Sequence, residues 1–162
     1  MQETQKTKSP QGKKNSNKAN SKNSPQKKLF ILRLIALIYI ILLIALIILV
    51  DKGKMLYWLS WVHYIPFADK VGHFLLLGVA SFVVNVALTC KNYKLFNYHF
   101  FYGSTILGIL ITLEEFSQML IPFREFDVLD LASNYSGIWI FGLIGCFLFQ
   151  KYLGKDIQEK KR

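Results

Sequence analysis

A chain of 162 residues suffices for one domain, but with 52% hydrophobic and 15% aromatic residues it carries more apolar surface than a soluble domain of that size buries. The net charge of +10 is concentrated outside the apolar stretches, and no aromatic residue precedes Phe30 to stack on bases, so the reading excludes nucleic acid as a partner. Residues 1–28 hold eight Lys and one Glu among Gln, Asn, Ser and Pro, with no apolar periodicity. They read as a disordered basic tail that meets anionic lipid headgroups.

The apolar segments then follow in order. Leu29–Val50 is a 22-residue run whose only charge is Arg33, placed to snorkel outward. As a helix it reaches about 33 Å, enough to cross a bilayer core. It is too long for a cleaved signal peptide and reads as an uncleaved anchor. Next comes "DKGKMLYWLSWVHYIPFADK", whose Tyr57, Trp58, Trp61, Tyr64 and Phe67 suit an interfacial segment at headgroup level. Further spans are expected at Val71–Cys90, Phe96–Ile121 and Leu131–Gln150, joined by "KNYK" and "PFREFDVLD". Pro122 ends the third. Short links favour antiparallel neighbours, so the expected fold is all-α: a polytopic four-helix transmembrane bundle over 29–150, followed by a basic tail at 151–162.

Sixteen of the twenty Lys and Arg residues fall on the side of the two termini. The positive-inside rule therefore makes this a multi-pass cell-membrane protein with both termini cytoplasmic. Cys90 and Cys146 lie in apolar stretches on that inner half, without C-x-x-C spacing. They read as small buried hydrophobes, and no disulfide is expected.

This orientation gathers the polar residues of three segments at the outer surface. Asp69 and His73 share a face of the second span, and Glu115 and Gln118 share a face of the third. That face continues through Thr112, Gly108 and Ser104. Asp130, Asn134 and Gly137 line the fourth. Glu115 lies six positions before the helix end, where a carboxylate facing lipid is costly. It is expected to face the interior with His73 as partner. Arg124 is expected to pair with Asp127, Asp130 or Asp69, and Asp127 or Asp130 to cap the fourth helix.

At these residues the chain resembles the VanZ-like family of bacterial integral membrane proteins. The matching pieces are "DKVGHF" (Asp69–Phe74), "EFSQ" (Glu115–Gln118), Arg124, "DVLD" (Asp127–Asp130) and "NYSG" (Asn134–Gly137). Together they span about residues 65–148. By spacing Glu115 takes the family position and Glu114 is an extra. The resemblance implies a small bacterial envelope protein and, through the family's namesake, a link to low-level resistance to the glycopeptide teicoplanin.

The expected function is binding of a cell-envelope component, such as a cell-wall precursor or a glycopeptide, in the outer polar pocket. Ligand contacts are assigned to Asp69, His73, Glu115, Gln118, Arg124, Asp127, Asp130 and Asn134. Membrane lipids are partners, and a homo-oligomer is compatible with the fold. The alternative is a membrane-embedded enzyme on a lipid-linked or cell-wall precursor, with His73 and Glu115 as acid–base pair and Arg124 stabilising developing charge. No named catalytic motif supports that alternative. No cofactor or metal is assigned, although His73, Glu115 and Asp130 are donor types a divalent ion accepts.

Overall fold

The computed structural model describes residues 25–52, 67–121 and 126–154. Four helices dominate: α1 (Pro25–Asp51), α2 (Ala68–Ala87), α3 (Tyr102–Gln118) and α4 (Val128–Phe149). A two-stranded hairpin, β1 (Asn92–Leu95) and β2 (Tyr98–Phe101), precedes α3, and a π-helical turn (Gln150–Gly154) extends α4. Residues 1–24 of the expected tail, the interfacial aromatics Tyr57, Trp58, Trp61 and Tyr64, and Arg124 lie outside the described residues, while the last four tail residues, 25–28, open α1 instead of being disordered.

Among the described residues three helices are long and apolar enough to cross a membrane: Gln26–Val50, Ala68–Ala87 and Val128–Gly154. The third expected span is altered. Its first six residues, and the "KNYK" loop before it, form the hairpin, leaving α3 with 17 residues. At 1.5 Å per residue α3 reaches about 26 Å, somewhat short of a ~30 Å hydrocarbon core. The hairpin closes through Phe96 (φ 45°) and Asn97 (φ 68°), the two positive φ values of a tight primed turn. Tyr93 anchors it, packing on Phe100 and Tyr102 at centroid distances of 5.9 and 5.0 Å and meeting Thr105 Oγ1 at 3.0 Å.

Helices α2 and α4 form the most extensive pair. They approach closely because α4 turns glycines toward α2: a Cβ at Gly137 would lie 2.2 Å from the Phe74 carbonyl oxygen. Small residues at a helix contact give this geometry in membranes, where lipid competes for apolar surface and close packing drives association. The interior is correspondingly small, with Leu43, Leu77, Ala80, Leu107, Ile111 and Ile138 at its centre. Large side chains such as Leu113, Trp139 and Phe147 point outward, as a lipid-facing surface requires.

Helix α1 runs antiparallel along α2. Tyr39 donates its hydroxyl to the Leu76 carbonyl at 2.8 Å. Arg33, expected to snorkel, instead donates to the Ala87 carbonyl at 3.3 Å. That carbonyl belongs to the last turn of α2, where helix geometry leaves acceptors unpaired and favours a cation.

A second correction concerns the cysteines. Both are buried, as expected, but they are joined as a disulfide. The end of α2 and the C-terminal part of α4 lie side by side with Cα atoms 5.5 Å apart, inside the window a bridge needs. Sequence separation of 56 residues hid that proximity.

Candidate functional site

The N-terminal ends of α2 and α4 and the C-terminal end of α3 meet at one end of the bundle. Each helix brings polar groups there for a local reason. Asp69 and Asp130 sit in first turns, where carboxylates suit the helix dipole. Asp127 is the N-cap of α4, its Oδ1 accepting from Leu129 N at 2.8 Å.

Lys70 is the hub. Its ammonium pairs with Asp127 Oδ2, stands 2.6 Å from Asp130 Oδ1 and lies 3.7 Å from Asp69 Oδ2. Sequence reasoning gave these acids to Arg124 and counted Lys70 only as an outer cation. The available signal was its place one residue after Asp69 and three before His73, on the same side of α2. The ion pairs bind α2 to α4, and the Asp127 backbone adds α3: its N–H donates to Glu115 Oε1 at 3.2 Å.

Glu115 is fully buried and faces the interior. Among the described residues no hydrogen bond joins it to His73, its expected partner. Among the described residues Glu115 is met by Asp127 N and, at 3.4 Å, by Gln118 Nε2. Gln118 also donates to both Glu114 oxygens, at 3.0 and 3.1 Å, which gives the extra glutamate a place on the rim. His73 turns to α4 instead. Its Nδ1 lies 3.2 Å from Asn134 Oδ1, and its Nε2 lies 3.6 Å from Asp69 Oδ1 and 3.7 Å from Asp130 Oδ2.

Seven of the eight expected contact residues are therefore gathered here, and the eighth, Arg124, lies outside the described residues. Asn134 is fully buried, yet its Nδ2 has no hydrogen-bond partner among them. Asp130 Oδ1 likewise lacks an aligned hydrogen bond, its company being the Lys70 ammonium.

A cleft of about 210 Å³ adjoins the cluster between α1, α2 and α3. Leu43, Leu46, Ile47 and Val50 of α1 form one wall, while Asp69, His73 and Glu114 bring polar groups to the other. It is amphipathic in section, with apolar length beside ionisable groups.

No family model, curated protein or solved structure matches this chain. The arrangement therefore has to speak through its own chemistry.

A second polar knot lies deeper, and sequence reasoning overlooked two of its members. Asn85 Nδ2 donates to Ser81 Oγ at 3.2 Å and to Ser104 Oγ at 2.8 Å, and Ser81 donates to the Ile138 carbonyl at 2.7 Å. Asn85 Oδ1 accepts from Ser104 N at 3.3 Å. These buried groups satisfy one another, so they pin α2, α3 and α4 together and leave no group aimed at a ligand.

The electrostatics of the cap give a testable pH dependence. The Lys70 ammonium beside Asp127, with the Leu129 N–H, holds the Asp127 carboxyl below its ordinary value of 3.8. A depressed native value means the ionised form favours the fold. That contribution is fully present above the unfolded-state value and is lost as pH falls through the lower native one. Asp127→Asn retains a capping oxygen but not the charge. It is expected to flatten the acid limb of a melting-temperature profile below pH 3.8 and to leave its neutral shape unchanged. An acid limb identical to wild type would show that the Lys70 pair contributes nothing.

Proposed function

We propose that this chain is a membrane-embedded binding protein for an amphiphilic cell-envelope component. The polar cluster holds the headgroup and the adjoining cleft takes part of the apolar chain. The observation that carries this reading is the junction itself: fully buried Glu115 and Asn134, with partly buried Lys70 and His73, beside a cleft walled by α1 aliphatics. Buried polar groups are costly in a bilayer and there tend to mark function. An apolar contact of similar volume would hold the helices as well. The cleft is smaller than the roughly 300–1,000 Å³ of typical small-molecule sites, which suits a headgroup with only the first part of its tail enclosed.

In this reading α3, with the hairpin at its start, completes a fourth crossing. Both termini face the cytoplasm, as the Lys and Arg distribution supports, the Cys90–Cys146 bridge on that side being buried away from soluble thiols, and the polar cluster lies toward the outer leaflet. The motif set from Asp69 to Gly137 supports a VanZ-like assignment, with a lipid-linked wall precursor or a teicoplanin-type glycopeptide as ligand.

A deletion strain tests the proposal. Loss of the chain is expected to change sensitivity to glycopeptides or other wall-active agents. Wild type should restore the phenotype, whereas His73→Ala at equal membrane abundance should not. Unchanged sensitivity across such agents, or full restoration by His73→Ala, would count against the reading.

A further inference from the structure

We propose that Asp69, His73 and Asp130 form a binding site for one divalent first-row transition-metal ion, of the zinc or manganese class. One donor atom from each of these side chains lies within 4.8 Å of the others. The His73 Nε2 distances of 3.6 and 3.7 Å to the two carboxylate oxygens are close to the ~3.4 Å edges of a tetrahedral shell with ~2.1 Å bonds.

Lys70 does not fill this position. It engages Asp69 Oδ2 and Asp130 Oδ1, the opposite oxygens to those facing His73. Its single positive charge is set against Asp69, Asp127 and Asp130, which leaves two negative charges uncompensated among these four groups. Asp130 is 8% exposed, and an unbalanced carboxylate at such a position is costly.

The histidine ring gives the donor set its direction. Asn134 Oδ1 can only accept, so Nδ1 carries a proton, and in the neutral ring the lone pair is then on Nε2, toward the two carboxylate oxygens. A lone pair facing two carboxylates is repulsive unless a cation stands between them. Metal-bound histidines are typically oriented by such a bond through the other ring nitrogen.

An independent sign of a ligand is the other end of Asn134. With Oδ1 committed to His73, its fully buried Nδ2 donor lacks an acceptor among the described residues. A water or a ligand oxygen on the ion supplies the kind of acceptor this donor lacks. Asp69 and His73 also line the cleft, which gives the ion an entry path and room for a phosphate or carboxylate oxygen as a further ligand.

The test uses full-length protein in detergent, purified without a polyhistidine tag and stripped with chelator. Titration with Zn²⁺ and with Co²⁺, the latter followed by its visible absorption, is expected to show one equivalent bound per chain. Asp69→Asn and His73→Ala should each weaken it at least tenfold. Asp69 is 61% exposed, so Asp69→Asn is expected to fold normally, checked by melting without metal. Asn134→Asp, which retains an acceptor for Nδ1, should keep binding within severalfold. No saturable equivalent in wild type, or equal binding by wild type and both weakening variants, overturns the site; the latter includes the case in which a proton on His73 is the only cation there. No envelope molecule enters the titration, so its failure leaves the binding reading standing, and failure of that reading leaves the metal result intact.

Discussion

Gly137→Ala is expected to destabilise the protein by about 2–3 kcal/mol, at the upper end for overpacking a tight contact. The added Cβ would lie 2.2 Å from the Phe74 carbonyl oxygen, 3.0 Å from its carbon and 3.2 Å from Gly78 N. All three are backbone atoms, so no rotamer change relieves the clash, and α2 and α4 must move apart. That movement would separate His73 from Asn134, since these flank Phe74 and Gly137 by one residue and three. The variant should therefore lose ligand and metal binding as well as stability. Thermal melting in detergent should fall by roughly 5–10 °C. Gly72→Ala supplies the control. Nothing lies within 4 Å of a Cβ there, and a helix-interior alanine gains about 0.5–1 kcal/mol over glycine. A stable Gly137→Ala protein, or equal losses at both positions, would refute the close helix contact.

Lys70→Met should cost about 3 kcal/mol, the lower end for breaking a buried ion pair by removing one partner. The lower end applies because the Lys70 side chain is 23% exposed, whereas that of Asp130 is 11% exposed. Removing the ammonium leaves Asp130 without its hub and takes away the tie between α2 and the α4 cap. The diagnostic is the double variant. Asp130→Asn in the Lys70→Met background removes the stranded charge and is expected to recover about 1 kcal/mol or more. Denaturant or thermal unfolding of the four proteins in one detergent gives the coupling directly. Additive losses would mean that Lys70 and Asp130 do not interact and that the hub is wrongly assigned.

Much of the architecture is legible in the order of residues alone. The apolar run of α1 is long and apolar enough to cross a membrane. Helical spacing put Glu115 on an inward face, because a carboxylate turned to lipid is expensive. That Asp127 or Asp130 caps α4 followed from residue type and position, and the structure gives the cap to Asp127. The hairpin was not legible: "KNYK" reads as a link and Phe96 onward as the start of an apolar span, and a bulky Phe96 at positive φ opposes local steric preference.

Hydropathy and helical period depend only on local order, and they already put ionisable groups near one end of three apolar segments. Partner choice was decided by the tertiary structure. Lys70 gathers the aspartates, His73 turns to Asn134 rather than Glu115, and Cys90 meets Cys146. Each choice is fixed by how α2 and α4 rotate and slide when glycines let their backbones touch. Those two degrees of freedom are set by packing across the pair, so no single segment encodes them.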